Sequence, residues 1–349
     1  MTKTALFTKF IFFVFAFIAL PGCMPMIHPP GEVIVSGQIL KDRYITPDGA
    51  ALPLKRWLPE QESAKAVLIA IHGFNDYSNF FQQPGGYFKQ HRIASYAYDQ
   101  RGFGGSPQRG LWSGVDAYVR DLDLFISLVK LKHPGLPIFL LGESMGGAIV
   151  IVTMTQKTIP NVDGIILSAP AVWARETMPW YQQTLLWTLS HTLPWMTLTG
   201  ESVGVMPSDN IEMLRALGKD PLIIRETRVE AIYGLVNLMD NAYLNAPLIR
   251  SNTLLLYGEK DEIIPKEPTH DFLQEILNTD RQGKKIALYE NGYHMLLRDL
   301  QAPVLWQDIV SWIESSQSPL PSGADKRAEE VFTIPEEKYP QTSAASVSF

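Results

Sequence analysis

Two hydrophobic periods alternate along this chain. Ala66-Val67-Leu68-Ile69-Ala70-Ile71 is an unbroken apolar run followed at once by His72-Gly73, and Ile93 to Tyr98 is a second run that ends in Asp99. Pro137 to Leu141 stops at Gly142, and Gly164 to Leu167, Thr253 to Tyr257 and Lys285 to Tyr289 repeat the pattern. Short apolar runs bounded by glycine and polar residues predict strands buried on both faces. Between them Val115, Tyr118, Val119, Leu122, Phe125, Ile126 and Val129 recur at helical spacing, and the chain from Ala148 onward reads as helix. An early strand is expected around Val33. Strand and helix in alternation predict an α/β fold, with a mainly parallel central sheet and helices on both faces. Ligands of such sheets sit beyond the carboxyl ends of the strands, where the polar motifs of this chain also fall.

One segment breaks the rhythm. From about 171 to 247 the chain is helical in texture and holds Trp173, Trp180, Trp187 and Trp195, half of its eight tryptophans, with Met178, Met196, Met206, Met213 and Met239. Such an apolar insertion between two core strands predicts a helical cap whose adaptable side chains admit an acyl chain. The competing reading is that these residues simply pack against the body. Residues 23–43, Pro-rich at first, predict a tether, and residues 316–349, dominated by Ser, Pro, Ala and charge, predict a flexible tail. The folded domain is expected over 44–315.

The first residues have a different character. Lys3 and Lys9 precede an unbroken apolar run from Phe10 to Leu20. That run is too short for a membrane-spanning helix, which needs about 20 residues, and it suits a secretory signal over 1–22. Leu20-Pro21-Gly22-Cys23 places the chain's only cysteine at the expected cleavage point. The motif resembles the lipobox of bacterial lipoproteins, which implies that Cys23 becomes the lipidated first residue. An ordinary signal peptide with an incidental cysteine, or an uncleaved anchor, is the alternative. Met24 follows where a retained inner-membrane lipoprotein often carries Asp, so the expected location is the outer membrane of a bacterial envelope, facing the periplasm. One cysteine excludes an internal disulfide framework and a cysteine-based zinc cluster within one chain. The net charge of −6, without a basic stripe, argues against nucleic acid as a partner.

Gly142-Glu143-Ser144-Met145-Gly146-Gly147 contains G-x-S-x-G where a predicted strand gives way to a helix. That sharp turn exposes a serine oxygen, and glycines flank it because the turn is strained and crowded. A serine hydroxyl needs a base to take its proton, and the base needs an acid to fix its tautomer. Asp261 follows the strand Thr253–Tyr257, in Gly258-Glu259-Lys260-Asp261, and His294 follows the next strand, in Glu290-Asn291-Gly292-Tyr293-His294. The order Ser, Asp, His is the one that strand-turn-helix hydrolases use. Ser144 is therefore the expected nucleophile, His294 the base and Asp261 its orienting acid, with Glu259 and Glu262 as competing acids. The backbone N–H groups of Phe74, in His72-Gly73-Phe74-Asn75, and of Met145 are the expected oxyanion donors. His72 reads as a loop-holding residue, and His28, His91, His133, His191 and His270 lack any companion pattern. No metal-ligand spacing such as H-E-x-x-H is present, and no cofactor is expected.

With these motifs in hand, the sequence from about Tyr44 to Ser315 resembles the monoacylglycerol lipase and lysophospholipase branch of the α/β-hydrolases, grouped with serine aminopeptidase-like hydrolases. The likeness rests on His72-Gly73-Phe74-Asn75, on Asp99-Gln100-Arg101-Gly102-Phe103-Gly104-Gly105-Ser106, on Gly142 to Gly147, on Gly258 to Asp261 and on Gly292-Tyr293-His294. It implies hydrolysis of an acyl-ester lipid or small ester through an acyl-enzyme, a lipid-facing cap, and a structural role for the loop from Asp99 to Ser106. Glu143 departs from the pattern, because this branch more commonly has His there. The same three residues could instead serve an acyltransferase or an aminopeptidase, the latter needing an acidic pocket for which Glu176, Glu201, Asp209 and Glu212 are the candidates. A non-catalytic envelope binding protein is the remaining alternative, and no protein partner is identified.

Overall fold

The computed structural model describes residues 25–332, apart from 61–62, 200–203 and 280–281. The expected signal segment, the lipidation candidate Cys23 and residues 333–349 lie outside the described residues. Strands β1 (Gln38–Ile39), β2 (Arg43–Ile45) and β3 (Ala51–Trp57) lead into β4 (Ala66–Ile71), β5 (Ile93–Tyr98), β6 (Ile138–Glu143) and β7 (Gly164–Ser168). Strands β8 (Thr197–Thr199) and β9 (Glu226–Arg228) lie within the insertion, and β10 (Thr253–Gly258) and β11 (Lys284–Tyr289) follow it. Among the described residues the main sheet has the order β1-β2-β3-β5-β4-β6-β7-β10-β11. Its first four strands pair antiparallel, and from β5 onward every pairing is parallel.

Helices α1 (Gln82–Gln90), α2 (Val115–Lys132) and α3 (Met145–Thr153) connect the parallel strands. Helices α4 (Trp180–Thr192), α5 (Ile211–Leu217) and α6 (Val229–Asn245) come from the insertion, followed by α7 (Lys266–Thr279), α8 (Ala302–Glu314) and α9 (Ala324–Phe332). Strand periodicity divides the core. Val67, Ile69 and Ile71 face Phe125, Ile149 and Leu238 on one side, whereas Leu68 and Ala70 face Phe88, Ile309 and Trp312 on the other. All six residues of β4 are buried, which is why its sequence shows no alternation of polar and apolar positions.

Three expectations about the periphery are corrected. No strand forms around Val33, which is 79% exposed; among the described residues the first strand is β1, inside the expected tether. The tether itself lies along the body, with His28 N–H donating to Trp112 O at 2.8 Å and Ile34 N–H to Pro47 O at 2.8 Å. Of the residues expected to form a flexible tail, 324–332 form helix α9, which packs against β11. Ala324, Ala328 and Phe332 are buried at helical spacing in α9, Asp325 accepts from Leu320 N–H at 3.0 Å, and Arg327 Nε donates to Glu259 at 2.6 Å. Helix spacing, rather than average polarity, decides this segment.

The loop from Asp99 to Ser106 holds its own structure. Arg101 bridges Asp48, at 2.7 and 2.8 Å, and Asp121, at 2.6 Å, with little of any of the three side chains exposed. Replacing Arg101 by Met is expected to lower stability by about 3–5 kcal/mol, because two carboxylates stay buried without a cation. The denaturant midpoint at constant slope is the measurement, and a change below about 1 kcal/mol would count against a structural role for this loop.

Candidate active site

Strand β6 delivers its last residues to the carboxyl edge of the sheet and the chain reverses directly into α3. Ser144, at the turn, has φ 53° and ψ −116°, a conformation that costs a non-glycine residue about 1–3 kcal/mol. Three main-chain bonds hold it: its N–H donates to Ser168 O at 3.0 Å, and its carbonyl accepts from Ala148 at 3.1 Å and Ala171 at 2.9 Å. A Cβ on Gly142 would collide with the main chain of Gly146, and one on Gly146 with the Ile71 carbonyl of β4. The G-x-S-x-G spacing is thus a packing requirement of this turn.

The loop after β4 approaches from one side. A Cβ on Gly73 would lie 3.3 Å from the Ser144 Cβ, so the Gly73-Phe74 main chain borders the serine. His72 is fully buried and holds this loop: its Nε2 accepts from Gln100 N–H at 2.9 Å, and its Nδ1–H donates to Gly73 O at 2.8 Å. Burial lowers its pKa, which suits the neutral form that this pair of bonds requires. Met145 opens α3, so its N–H has no intrahelical acceptor. Among the described residues neither the Phe74 nor the Met145 N–H is given to another group. Asn75 turns the loop with φ 64°, and ties it to the insertion through Thr227 Oγ1 at 2.6 Å and Ile224 N–H at 3.1 Å.

Asp261 and His294 come from the loops after β10 and β11. One carboxylate oxygen of Asp261 accepts from Ile263 N–H at 2.8 Å and Ile264 N–H at 3.1 Å, and the other pairs with His294 Nδ1 at 2.8 Å. Both side chains are buried. The bond assigns the proton to Nδ1 and leaves Nε2 as the acceptor. Burial alone would push the imidazole down, but the charge and hydrogen bond of Asp261, and then the charge of Glu143, outweigh it and raise the His294 pKa above its ordinary value. In this conformation the Ser144 hydroxyl makes no hydrogen bond to His294; in unliganded sites that contact commonly tightens on substrate binding. Glu259 and Glu262 are engaged elsewhere, with Arg327 and with Met206 N–H at 2.9 Å, which separates them from the imidazole.

The histidine loop also rests on the insertion. Met295 N–H donates to Pro207 O at 2.9 Å, and Asp299 accepts from Ser208 Oγ at 2.6 Å and Tyr293 N–H at 2.8 Å. Two residues not singled out by sequence reasoning, Asp76 and Arg298, meet Glu143 beneath the serine. Arg298 Nη1 lies 2.7 Å from Asp76 and Nη2 lies 2.7 Å from Glu143, with all three buried. The signal for them was present: each is a charge within four residues of a motif, beside one apolar or aromatic position, Tyr77 and Leu297.

The insertion between β7 and β10 divides in two. Helix α6 buries Val236, Leu238, Met239 and Ala242 in the body. Helix α4 does not: Trp180 is 76% exposed and Trp187 57%, and Trp195 beyond it 53%. Trp173 alone of the four insertion tryptophans packs against the core, so general packing against the body does not account for the set.

A mainly parallel sheet that carries a strained serine at the strand-to-helix turn, with Asp and His loops behind it in chain order, defines an α/β-hydrolase. Within that class the chain belongs to the serine aminopeptidase S33 family, whose sequence profile matches residues 62–301. It is similar to the human monoglyceride lipase, 27% identical over 299 residues that cover 84% of this chain and 92% of that one. It is also similar to a monoacylglycerol lipase of Mycolicibacterium smegmatis, 25% identical over 266 residues covering 74% and 91%. A crystal structure of a soluble variant of the Saccharomyces cerevisiae monoglyceride lipase, in complex with a substrate analog, shares the fold. It covers 83% of this chain and 99% of its own at a TM-score of 0.67 and 20% identity.

Proposed function

We propose that this protein is a serine ester hydrolase acting on single-chain acyl esters of the monoacylglycerol or lysophospholipid type. The observation that carries the reading is the buried Asp261–His294 pair set behind an elbow serine flanked by two uncommitted amides. Ser144 Oγ attacks the acyl carbonyl while His294 Nε2 takes its proton, and the developing oxyanion is received by Phe74 and Met145 N–H. Collapse breaks the ester C–O bond, and the imidazolium protonates the departing alcohol. Water, deprotonated by the same imidazole, then releases the fatty acid from Ser144. The monoglyceride lipase relatives support the substrate class.

An acyltransferase would differ only in admitting an alcohol at the second step. The aminopeptidase reading needs free carboxylates near the site. Asp209, one of its candidates, instead accepts from Leu300 N–H at 2.8 Å, and Glu212 sits in the first turn of α5. A lipid-borne substrate also fits the exposed aromatic face of α4, since tryptophan favours the membrane interface. We place the protein at the bacterial outer membrane, held there by lipid on Cys23. Cys23→Ser is expected to move it from the membrane pellet to the soluble fraction after cell breakage; retention in the pellet would refute the anchor.

The test of function is a substrate panel on the purified full chain in mixed micelles: a monoacylglycerol, a lysophospholipid, a soluble short-chain ester and an aminoacyl anilide. Turnover of the acyl esters is expected, with a fluorophosphonate adduct mapping to Ser144. Turnover of the anilide alone would make it an aminopeptidase, and no turnover with no adduct would leave a binding protein.

A further inference from the structure

Glu143 stands next to the nucleophile where sequence resemblance leads one to expect histidine. Its side chain does not reach solvent. One carboxylate oxygen lies 3.9 Å from where a Cβ on Gly73 would sit, beneath the loop that carries Phe74, and the same oxygen accepts from Arg298. Arg298 follows His294 by four residues, and its other nitrogen holds Asp76, two residues past Phe74. Three loops that reach the site from β4, β6 and β11 are therefore joined through one guanidinium.

We propose that Asp76, Arg298 and Glu143 form a buried clamp that keeps the oxyanion loop, the serine turn and the histidine loop in register, and that the Glu143 charge stabilises the His294 imidazolium during turnover. The proposal rests on the reading of Ser144 and His294 as nucleophile and base. Two carboxylates face one cation beside the dyad; burial raises the Glu143 pKa and the Arg298 guanidinium counters it, so the carboxylate charge is held by that ion pair. The second oxygen of Glu143 and the Nε of Arg298 have no hydrogen-bond partner among the described residues. A cluster selected for stability alone would be expected to close those groups or give way to apolar packing, which is often as stable.

The charged groups facing His294 are Asp261 from the β10 loop, Glu143 from β6 and Arg298 on its own loop. Asp76 is turned to Arg298, and Asp299 is turned to Ser208 and Tyr293 N–H. Asp261 and Glu143 favour the charged ring and Arg298 opposes it. Removing the Glu143 charge therefore lowers the imidazole pKa, and the acid limb of the rate profile moves to lower pH.

The experiment compares kcat, KM and the pH profile of kcat/KM on a soluble short-chain ester, using the full chain. Glu143→Gln leaves Arg298 paired with Asp76. It is expected to lower kcat about tenfold with KM nearly unchanged, and to move the acid limb down by about half a pH unit or more. Arg298→Lys keeps the cation but cannot span both carboxylates; kcat falls while the acid limb stays in place. Should Glu143→Gln not fold, Glu143→Asp serves, with the limb retained and kcat reduced. Wild-type kcat and an unmoved limb in Glu143→Gln, or wild-type kcat in Arg298→Lys, would overturn the clamp. Persistence of turnover in Ser144→Ala would instead overturn the site reading on which the clamp rests, so the two failures are told apart.

Discussion

Ser144→Ala is expected to lower kcat on acyl esters by about 10⁴-fold or more, with folding unchanged. The substitution removes one oxygen. The three bonds that hold the turn are main-chain bonds of residue 144, so they persist in the variant, and the positive φ is as accessible to alanine as to serine. No helix-capping hydrogen bond of the serine side chain is lost, because among the described residues its hydroxyl makes none. What disappears is the covalent route. The residual rate is that of water attacking a carbonyl polarised by the Phe74 and Met145 amides, still faster than the uncatalysed reaction. Initial rates, a thermal melt and fluorophosphonate labelling of wild type and variant form the measurement. A variant that melts with the wild type yet keeps more than about a tenth of its turnover would remove Ser144 from the mechanism.

The part of this site that was legible in the sequence is the part that follows from local chain geometry. Five core strands are buried throughout and β11 over its last four residues, so each reads as an apolar run, and the loops after β4, β6, β10 and β11 then have no choice of edge. Gly142 and Gly146 mark the elbow because no side chain fits between α3, β6 and β4. What was not legible depends on contacts far apart in the chain. Asp76 and Arg298 are separated by most of the domain, and no period connects them. The packed helix within the expected tail was hidden by composition: Ala324, Ala328 and Phe332 are a sparse stripe among charges, and only their contact with β11 makes that stripe worth burying. The two-stranded β8–β9 ribbon was equally silent, since three-residue strands carry too few positions to show a period.

The insertion emerges as more than a cover. Thr227 and Ile224 hold the oxyanion loop through Asn75, Asp220 accepts from the Tyr77 hydroxyl at 2.7 Å, and Pro207 and Ser208 hold the histidine loop. These segments are thereby tied to both the oxyanion loop and the histidine loop, whereas the serine turn is fastened to β7, to α3 and to Ala171 at the start of the insertion.

Asp261→Asn tests how far the acid sets the state of the base. One side of the carboxylate is committed to the Ile263 and Ile264 amides, which can be satisfied only by an oxygen. The asparagine oxygen therefore takes that side, and its NH₂ group faces His294 Nδ1. An amide donor there demands a bare Nδ1, so the proton moves to Nε2, the atom that must accept from Ser144. kcat is expected to fall by about 10⁴-fold, close to the loss in Ser144→Ala, while the structure is retained because every main-chain bond of the loop survives. A second consequence follows from the charge. Asp261 is the strongest influence holding the imidazole above its ordinary pKa against burial, so its removal shifts the acid limb of the residual activity to lower pH. Flipping the amide to restore the tautomer would set two donors against two main-chain N–H groups, a buried mismatch of about 1–3 kcal/mol for each unpaired group. A variant that retains more than about a hundredth of wild-type kcat, with its acid limb unmoved, would show that Asp261 is not the residue that orients His294.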